Sequence, residues 1–443
     1  MILRILIVII LILILLCYLG IAHADTLVYE EDLPQGSVIG DAVAGSPELA
    51  PRGKYAIGVR TIEIAHKDQV NLAAITDADP RPLYDRPLTV EVWYPGVVAE
   101  GARQACTYTD YIGEVDYDYL EPFDFDGRAM RDAEPFTADG PYPVLIITHG
   151  YPGSRYLLSN LGENLATKGY VVFSIAHTDN TYTDFNPDIS LMSAIINRTL
   201  DQRYMITVLD ELNADGFLKG VLDTERVGMI GYSFGGFGLL RTLGIKFNEL
   251  ILENFSAYRD LMVEEEGYQG DKRVKAAVLF APYGAAFFDM GTLKNISVPT
   301  LWLQGNEDTT VVPGPVHNMW ERAVNSDRYF LTYDLMHHKV PTNPSPIAAQ
   351  KYSFADGARR WDDWVWNQWH VNGINFHFLT AFFDAQLKGE TEKLDYLNVK
   401  EPVGRKCVYS VKDGVPTAQH TYWKGFDPNN TTLGLILEHM SAE

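Results

Sequence analysis

A serine, an acid and a histidine, the side chains that together carry acyl transfer, stand in that order along this chain of 443 residues. Ser233 lies in Gly231-Tyr232-Ser233-Phe234-Gly235, behind an apolar run and ahead of a helical one. Glycines at that spacing suit a sharp strand-to-helix turn, where neighbouring side chains would clash. Such a turn lifts Oγ out of the sheet and aims the next backbone N–H at a developing oxyanion. A serine hydroxyl is a poor nucleophile near neutral pH and needs a base oriented by an acid. The run 300–304 leads into Gly305-Asn306-Glu307-Asp308, which offers Glu307 and Asp308 as acids. The run 329–333 leads into Asp334-Leu335-Met336-His337-His338. His338, five residues past Tyr333, is favoured as the base, with His337 as the fallback.

Two N–H donors are needed for an oxyanion. Phe234, the residue after the serine, supplies one. The other is expected from His149-Gly150-Tyr151-Pro152-Gly153, with Tyr151 as donor, because Pro152 has no N–H. His177 also follows an apolar run, yet it precedes Ser233, so a structural role suits it better. No Cys, His and Asp grouping has metal-ligand spacing, and the acidic residues 116–126 lack the calcium-loop order of ligands and glycine.

These side chains need a rigid frame, and the chain supplies one. Residues 56–65 and 88–94 alternate and are rich in β-branched types, which predicts an opening antiparallel pair. Continuous apolar runs follow at 143–148, 170–176, 227–230, 274–280, 300–304 and 329–333. Runs apolar on both faces suit parallel strands covered by helices on each side. Helical patterns fill the gaps at 156–168, 189–213 and 235–243. The expectation is an α/β fold, a mostly parallel eight-stranded doubly wound sheet with insertions. The insertions are 100–141, 246–271 and 343–372, the last holding Trp361, Trp364, Trp366 and Trp369. Those tryptophans either pack on the core or form an aromatic wall for substrate. One catalytic domain over 25–392 and a packed C-terminal extension over 393–443 complete the expected organisation.

Met1 to Arg4, an apolar run over 5–21 and Ala22-His23-Ala24 have the order of a signal peptide, so cleavage after Ala24 and export are expected. An uncleaved membrane anchor is the alternative. After cleavage no stable membrane insertion is expected. Cys106 and Cys407 then remain, either as one disulfide or as two free thiols. Lys and Arg number 36 against 58 Asp and Glu, a formal charge of −22. That surface repels nucleic acid and anionic lipid and favours neutral or cationic substrates. Nucleic acid is therefore excluded as a partner.

The sequence resembles the bacterial α/β-hydrolases related to platelet-activating-factor acetylhydrolases, often labelled dienelactone hydrolases. The matching pieces include Val90-Glu91-Val92-Trp93-Tyr94-Pro95, Gly127-Arg128-Ala129-Met130-Arg131-Asp132-Ala133 and Pro141-Tyr142-Pro143 leading to His149-Gly150-Tyr151-Pro152-Gly153. Others are Gly231-Tyr232-Ser233-Phe234-Gly235-Gly236 and Trp423-Lys424-Gly425-Phe426. The resemblance implies a Ser233, Asp308 and His338 triad, hydrolysis of short-chain or acetyl-type esters, and no metal or organic cofactor. The dienelactone label goes with a cysteine nucleophile, whereas this chain has Ser233. A looser similarity to cutinase-like polyester hydrolases rests on Tyr151 and Asp308-Thr309. The remaining alternatives are a lipase and a non-catalytic binding protein of the same fold.

Overall fold

The computed structural model describes residues 37–99, 104–112, 120–263, 267–347, 361–429 and 431–443. Its strands are β1 Ile57–Val70, β2 Leu83–Pro95, β3 Cys106–Ile112, β4 Glu121–Gly127, β5 Met130–Arg131 and β6 Tyr142–Thr148. They continue as β7 Val171–Ala176, β8 Leu222–Tyr232, β9 Val274–Phe280, β10 Thr300–Gly305, β11 Arg328–Tyr333 and, near the C-terminus, β12 Leu435–Met440. The principal helices are α1 Ser159–Ala166, α2 Ser190–Ala214, α3 Phe234–Thr242, α4 Pro313–Arg322 and α5 Gln368–Leu387.

Across the central sheet the order is β12-β11-β10-β9-β8-β6-β7-β2-β1-β5. The strands from β7 to β11 are mutually parallel through β6, while β1 and β2 pair antiparallel at one side. All eight strands expected from the sequence are present, in an α/β fold. The sheet has ten strands rather than eight, because β12 adds antiparallel to β11 and the short β5 adds to β1. Both additions are edge strands: β5 is only two residues long, and β12 sets Leu435 and Leu437 into the core while its other residues stay partly exposed.

The apolar runs alternate between two cores. In β6, Leu145 and Ile147 face the layer that contains Leu161 of α1 and Phe376 of α5. Val144 and Ile146 face the layer that contains Ile195 of α2 and Leu239 of α3. Burial on both faces is why these strands read as unbroken apolar stretches. The long 100–141 insertion holds the β3–β4 hairpin, paired from Cys106 with Gly127 to Ile112 with Glu121. Its Tyr108 hydroxyl accepts from Trp93 Nε1 at 2.8 Å and donates to the buried Glu163 of α1 at 2.7 Å. Cys106 and Cys407 are free thiols.

In the tryptophan-rich segment, Trp361 is buried edge-on against Phe123 with ring centroids 5.3 Å apart. Trp366 packs on Tyr333 at 5.4 Å and donates from Nε1 to the Asp334 carbonyl. Trp364 is exposed. At the C-terminal end Trp423 and Phe426 pack against Phe378 of α5, at 6.1 and 5.7 Å. The segment expected to be a signal peptide, residues 1–24, lies outside the described residues. No helix among the described residues is long and apolar enough to cross a membrane.

Candidate active site

Ser233 sits between β8 and α3 with φ 54° and ψ −118°, a backbone conformation that a non-glycine residue rarely adopts. The surroundings hold it there. Its N–H donates to the Phe280 carbonyl at 2.9 Å, and its own carbonyl accepts from Phe237 and Tyr283, each at 3.0 Å. A Cβ at Gly231 would stand 2.7 Å from the Gly235 carbonyl oxygen, and one at Gly235 would overlap the Thr148 carbonyl. Both glycines are therefore fixed by backbone crowding at the turn. Gln202 of α2 braces it from behind, donating to Thr148 Oγ1 and to the Gly235 carbonyl at 3.2 and 3.1 Å.

The loop after β10 carries Asp308, which is 3% exposed, while Glu307 beside it faces solvent. Asp308 Oδ1 accepts from the N–H groups of Thr310 and Val311, both at 2.8 Å. Its Oδ2 accepts from Gln304 Nε2 at 3.2 Å and meets His338 Nδ1 at 2.6 Å. The two loops are tied together by their backbones. Glu307 N–H donates to the Met336 carbonyl and Asn306 N–H to the Tyr333 carbonyl, at 2.9 and 3.1 Å. Gly305 makes this approach possible, since a Cβ there would overlap the carbonyls of Met336 and His337.

The adjacent histidines point to different partners. His338 is 8% exposed and pairs with Asp308; His337 is partly exposed, and its Nδ1 lies 3.3 Å from Asp363. Burial pushes the His338 imidazole below its ordinary range, and the Asp308 hydrogen bond opposes that shift. Tyr232 links His338 to the serine turn: its ring lies 5.0 Å from the imidazole, and its hydroxyl donates to the His338 carbonyl at 3.1 Å. Ser233, Asp308 and His338 are thus brought to one end of the sheet, beyond the C-terminal ends of β8, β10 and β11.

Tyr151 and Phe234 also converge here, with ring centroids 5.3 Å apart. Phe234 opens α3, and Ser233 makes no side-chain cap, so the Phe234 amide is one of the unpaired donors of the first turn. The Tyr151 amide donates to no backbone carbonyl among the described residues. Behind this loop lies Arg198 of α2, fully buried. It donates from Nη1 to the His149 carbonyl, from Nη2 to the Gly150 carbonyl at 2.8 Å and from Nε to Asn180 Oδ1 at 2.8 Å. His177 has the structural place its position suggested. Its N–H donates to His149 Nε2 at 3.3 Å, and its Nδ1 meets Asp201 at 2.9 Å. Burial works to raise the Asp201 carboxyl, but Arg86 and His177 outweigh it and hold it at about 2. Arg198 and Gln202 escaped the sequence reading. Their signal was a polar stripe through Asn197, Arg198, Asp201 and Gln202 in a helix otherwise rich in apolar residues.

Strand order and a strained serine at a strand-to-helix turn define the class: an α/β-hydrolase-fold protein. In keeping with the bacterial α/β-hydrolase family inferred from its motifs, the family model described as platelet-activating factor acetylhydrolase, isoform II, matches residues 126–185. The chain is 30% identical over 109 residues to a bis(hydroxyethyl) terephthalate hydrolase of Streptomyces coelicolor, 24% of this chain and 29% of that protein. It is 33% identical over 100 residues to cutinase est1 of Thermobifida alba, 23% of this chain and 30% of that one. The chain therefore spans about 30% of the length of these curated relatives. A solved ferulic acid esterase from Streptomyces cinnamoneus is similar at 20% identity with a TM-score of 0.48, covering 78% of this chain and 94% of that one.

Proposed function

We propose that this protein is an exported serine esterase that cleaves carboxylic esters through an acyl-enzyme. The observation that carries the reading is the buried Asp308–His338 pair at 2.6 Å, which the Tyr232 hydroxyl ties to the turn of the strained Ser233. With Nδ1 committed to Asp308, His338 has Nε2 as its outward nitrogen. In the first step Nε2 takes the Ser233 proton while Oγ attacks the ester carbonyl. The Tyr151 and Phe234 amides receive the oxyanion, and Asp308 stabilises the imidazolium. The proton then passes from His338 to the leaving alcohol. Water, deprotonated by His338, releases the acid and regenerates the serine. Residues 25–392 form the catalytic domain in this reading, and 393–443 form an extension that braces α5 and β11.

The substrate proposed is a short-chain or acetyl-type ester of lipid or small-molecule origin. The cutinase and terephthalate-ester hydrolase relatives favour a second reading, a cutinase-like polyesterase. A panel of nitrophenyl esters from acetate to palmitate, together with a polyester film, separates them. The main reading expects activity to fall steeply with acyl length and the film to remain intact. Film hydrolysis at a rate comparable with acetate release overturns it in favour of the second.

The shifted histidine fixes the expected pH profile. A base must be neutral to act, and burial holds His338 below its ordinary value of 6.5. The acid limb of kcat/KM should therefore be centred below about pH 6.5, so that activity persists into mildly acid solution. A limb centred above about pH 7 contradicts the assignment.

Arg198 acts through the Tyr151 amide. The carbonyl it grips belongs to the same Gly150–Tyr151 peptide whose N–H is the proposed donor, so the guanidinium orients and polarises that unit. Lysine can reach one of the two carbonyls but not both. Arg198→Lys should lower kcat roughly ten- to a hundredfold, below the cost of deleting a donor outright, with KM changed little. Steady-state kinetics beside a thermal melt check this. A drop in KM-side binding alone, with kcat intact, contradicts it.

A further inference from the structure

A cavity of about 540 Å³ opens beside the loop that carries Tyr151. Among the described residues, Ala176 is the one aliphatic side chain lining it; the rest are mainly Thr, Tyr, Arg and Asp side chains from β3, the 150–156 loop and the 178–184 loop. It shares a wall with the candidate active site. Ser154 and Arg155 directly follow the oxyanion loop, the Tyr182 amide donates to the Gly153 carbonyl at 3.2 Å, and the Phe185 ring lies 5.9 Å from that of Tyr151.

The chemistry of the wall selects the occupant. An acyl chain gains little in a cavity whose lining is mainly polar. An anion is also disfavoured. Arg131 and Arg155 are both tied to the Glu91 carboxylate, which is buried behind the wall, while Asp110 and Asp184 place two carboxylates on it. Four hydroxyl protons of the wall are already committed to protein acceptors. Thr89 donates to Glu63, Thr109 to Asp124 and Ser154 to Asp110, each at 2.7 Å, and Thr178 donates to the Pro87 carbonyl. What these groups have left is acceptor lone pairs. A ligand that brings hydroxyl donors fits these groups, and a negative charge on it does not.

We infer that this cavity binds a neutral polyhydroxy group, a sugar ring or its equivalent, forming the part of the ester remote from the reacting carbonyl. The inference rests on the serine-esterase reading for the word ester, but not for the binding itself. A hydroxyl-bearing substrate would lie with its acyl group across the 150–154 loop at Ser233 and its other hydroxyls among the threonines.

The test has a binding arm and a kinetic arm. In the first, saturation-transfer NMR on the Ser233→Ala protein is recorded separately with methyl glucoside and hexanoate, and inorganic phosphate is tried as a competitor. The second compares kcat/KM for methyl 6-O-acetylglucoside, which keeps three free hydroxyls, with that for nitrophenyl acetate, in the wild type and in Thr89→Val/Thr109→Val. Both threonines sit on strand surfaces, so the variant should fold, which circular dichroism checks. Expected are a glucoside signal that phosphate leaves unchanged and that the double substitution removes, no hexanoate signal, and a kinetic ratio about tenfold lower in the variant. Displacement by phosphate, binding of hexanoate alone, or an unchanged ratio in an active variant overturns the inference. If the wild type hydrolyses neither ester, the esterase reading fails, and the binding arm still decides what the cavity holds.

Discussion

Ser233→Ala is expected to lower the hydrolysis of nitrophenyl acetate by on the order of 10⁶-fold, to the level of the oxyanion donors and binding alone. The fold should survive. Among the described residues, the hydrogen bonds that fix residue 233 in its φ 54° conformation use its backbone N–H and carbonyl, and the hydroxyl makes no cap on α3. Alanine meets the same backbone strain as serine, so a thermal melt should move little while the rate collapses. That separation is what distinguishes a nucleophile from a structural turn residue. Kinetics and calorimetry on one preparation read both quantities. Activity within about tenfold of wild type would remove Ser233 from the chemistry.

The second large effect is a contrast between neighbours. His338→Ala should cost about as much as loss of the serine, because the two act as one unit. His337→Ala should leave kcat/KM within a fewfold of wild type. The two residues are adjacent, yet His338 meets the buried Asp308 at 2.6 Å and His337 reaches the other way to Asp363. Asp308→Asn belongs to the same series and should lose on the order of 10⁴-fold, through a misoriented imidazole tautomer. Double substitution of Asp308 and His338 should cost little more than His338 alone. The reverse ranking of the two histidines contradicts the account.

Much of this frame was legible in the sequence. The six parallel strands are buried on both faces, so runs such as Val144 to Ile147 announce themselves without any periodic pattern. The serine turn was legible because steric crowding at Gly231 and Gly235 leaves only glycine as a solution. Other parts gave no such signal. The β3–β4 hairpin alternates, with Tyr108, Asp110 and Ile112 inward, but Asp124 and Asp126 on its other face gave the segment an acidic look that hid the strand pattern. Helix α5 is buried almost all round, so it lacks the polar face that marks a surface helix. Arg198 could not be read as a loop-positioning group because the carbonyls it holds lie 48 and 49 residues earlier. Spacing alone favoured His338 weakly over His337, and it is the partners of each, Asp308 and Asp363, that separate them in space.

The most direct measurement is intact-protein mass spectrometry after exposure to a fluorophosphonate, followed by peptide mapping. The account predicts one adduct, on the peptide bearing Ser233, formed quickly in the wild type. The same adduct should form far more slowly in His338→Ala and be absent in Ser233→Ala. Labelling at another residue, or equal labelling of the His338→Ala protein, would contradict a Ser233 nucleophile served by His338.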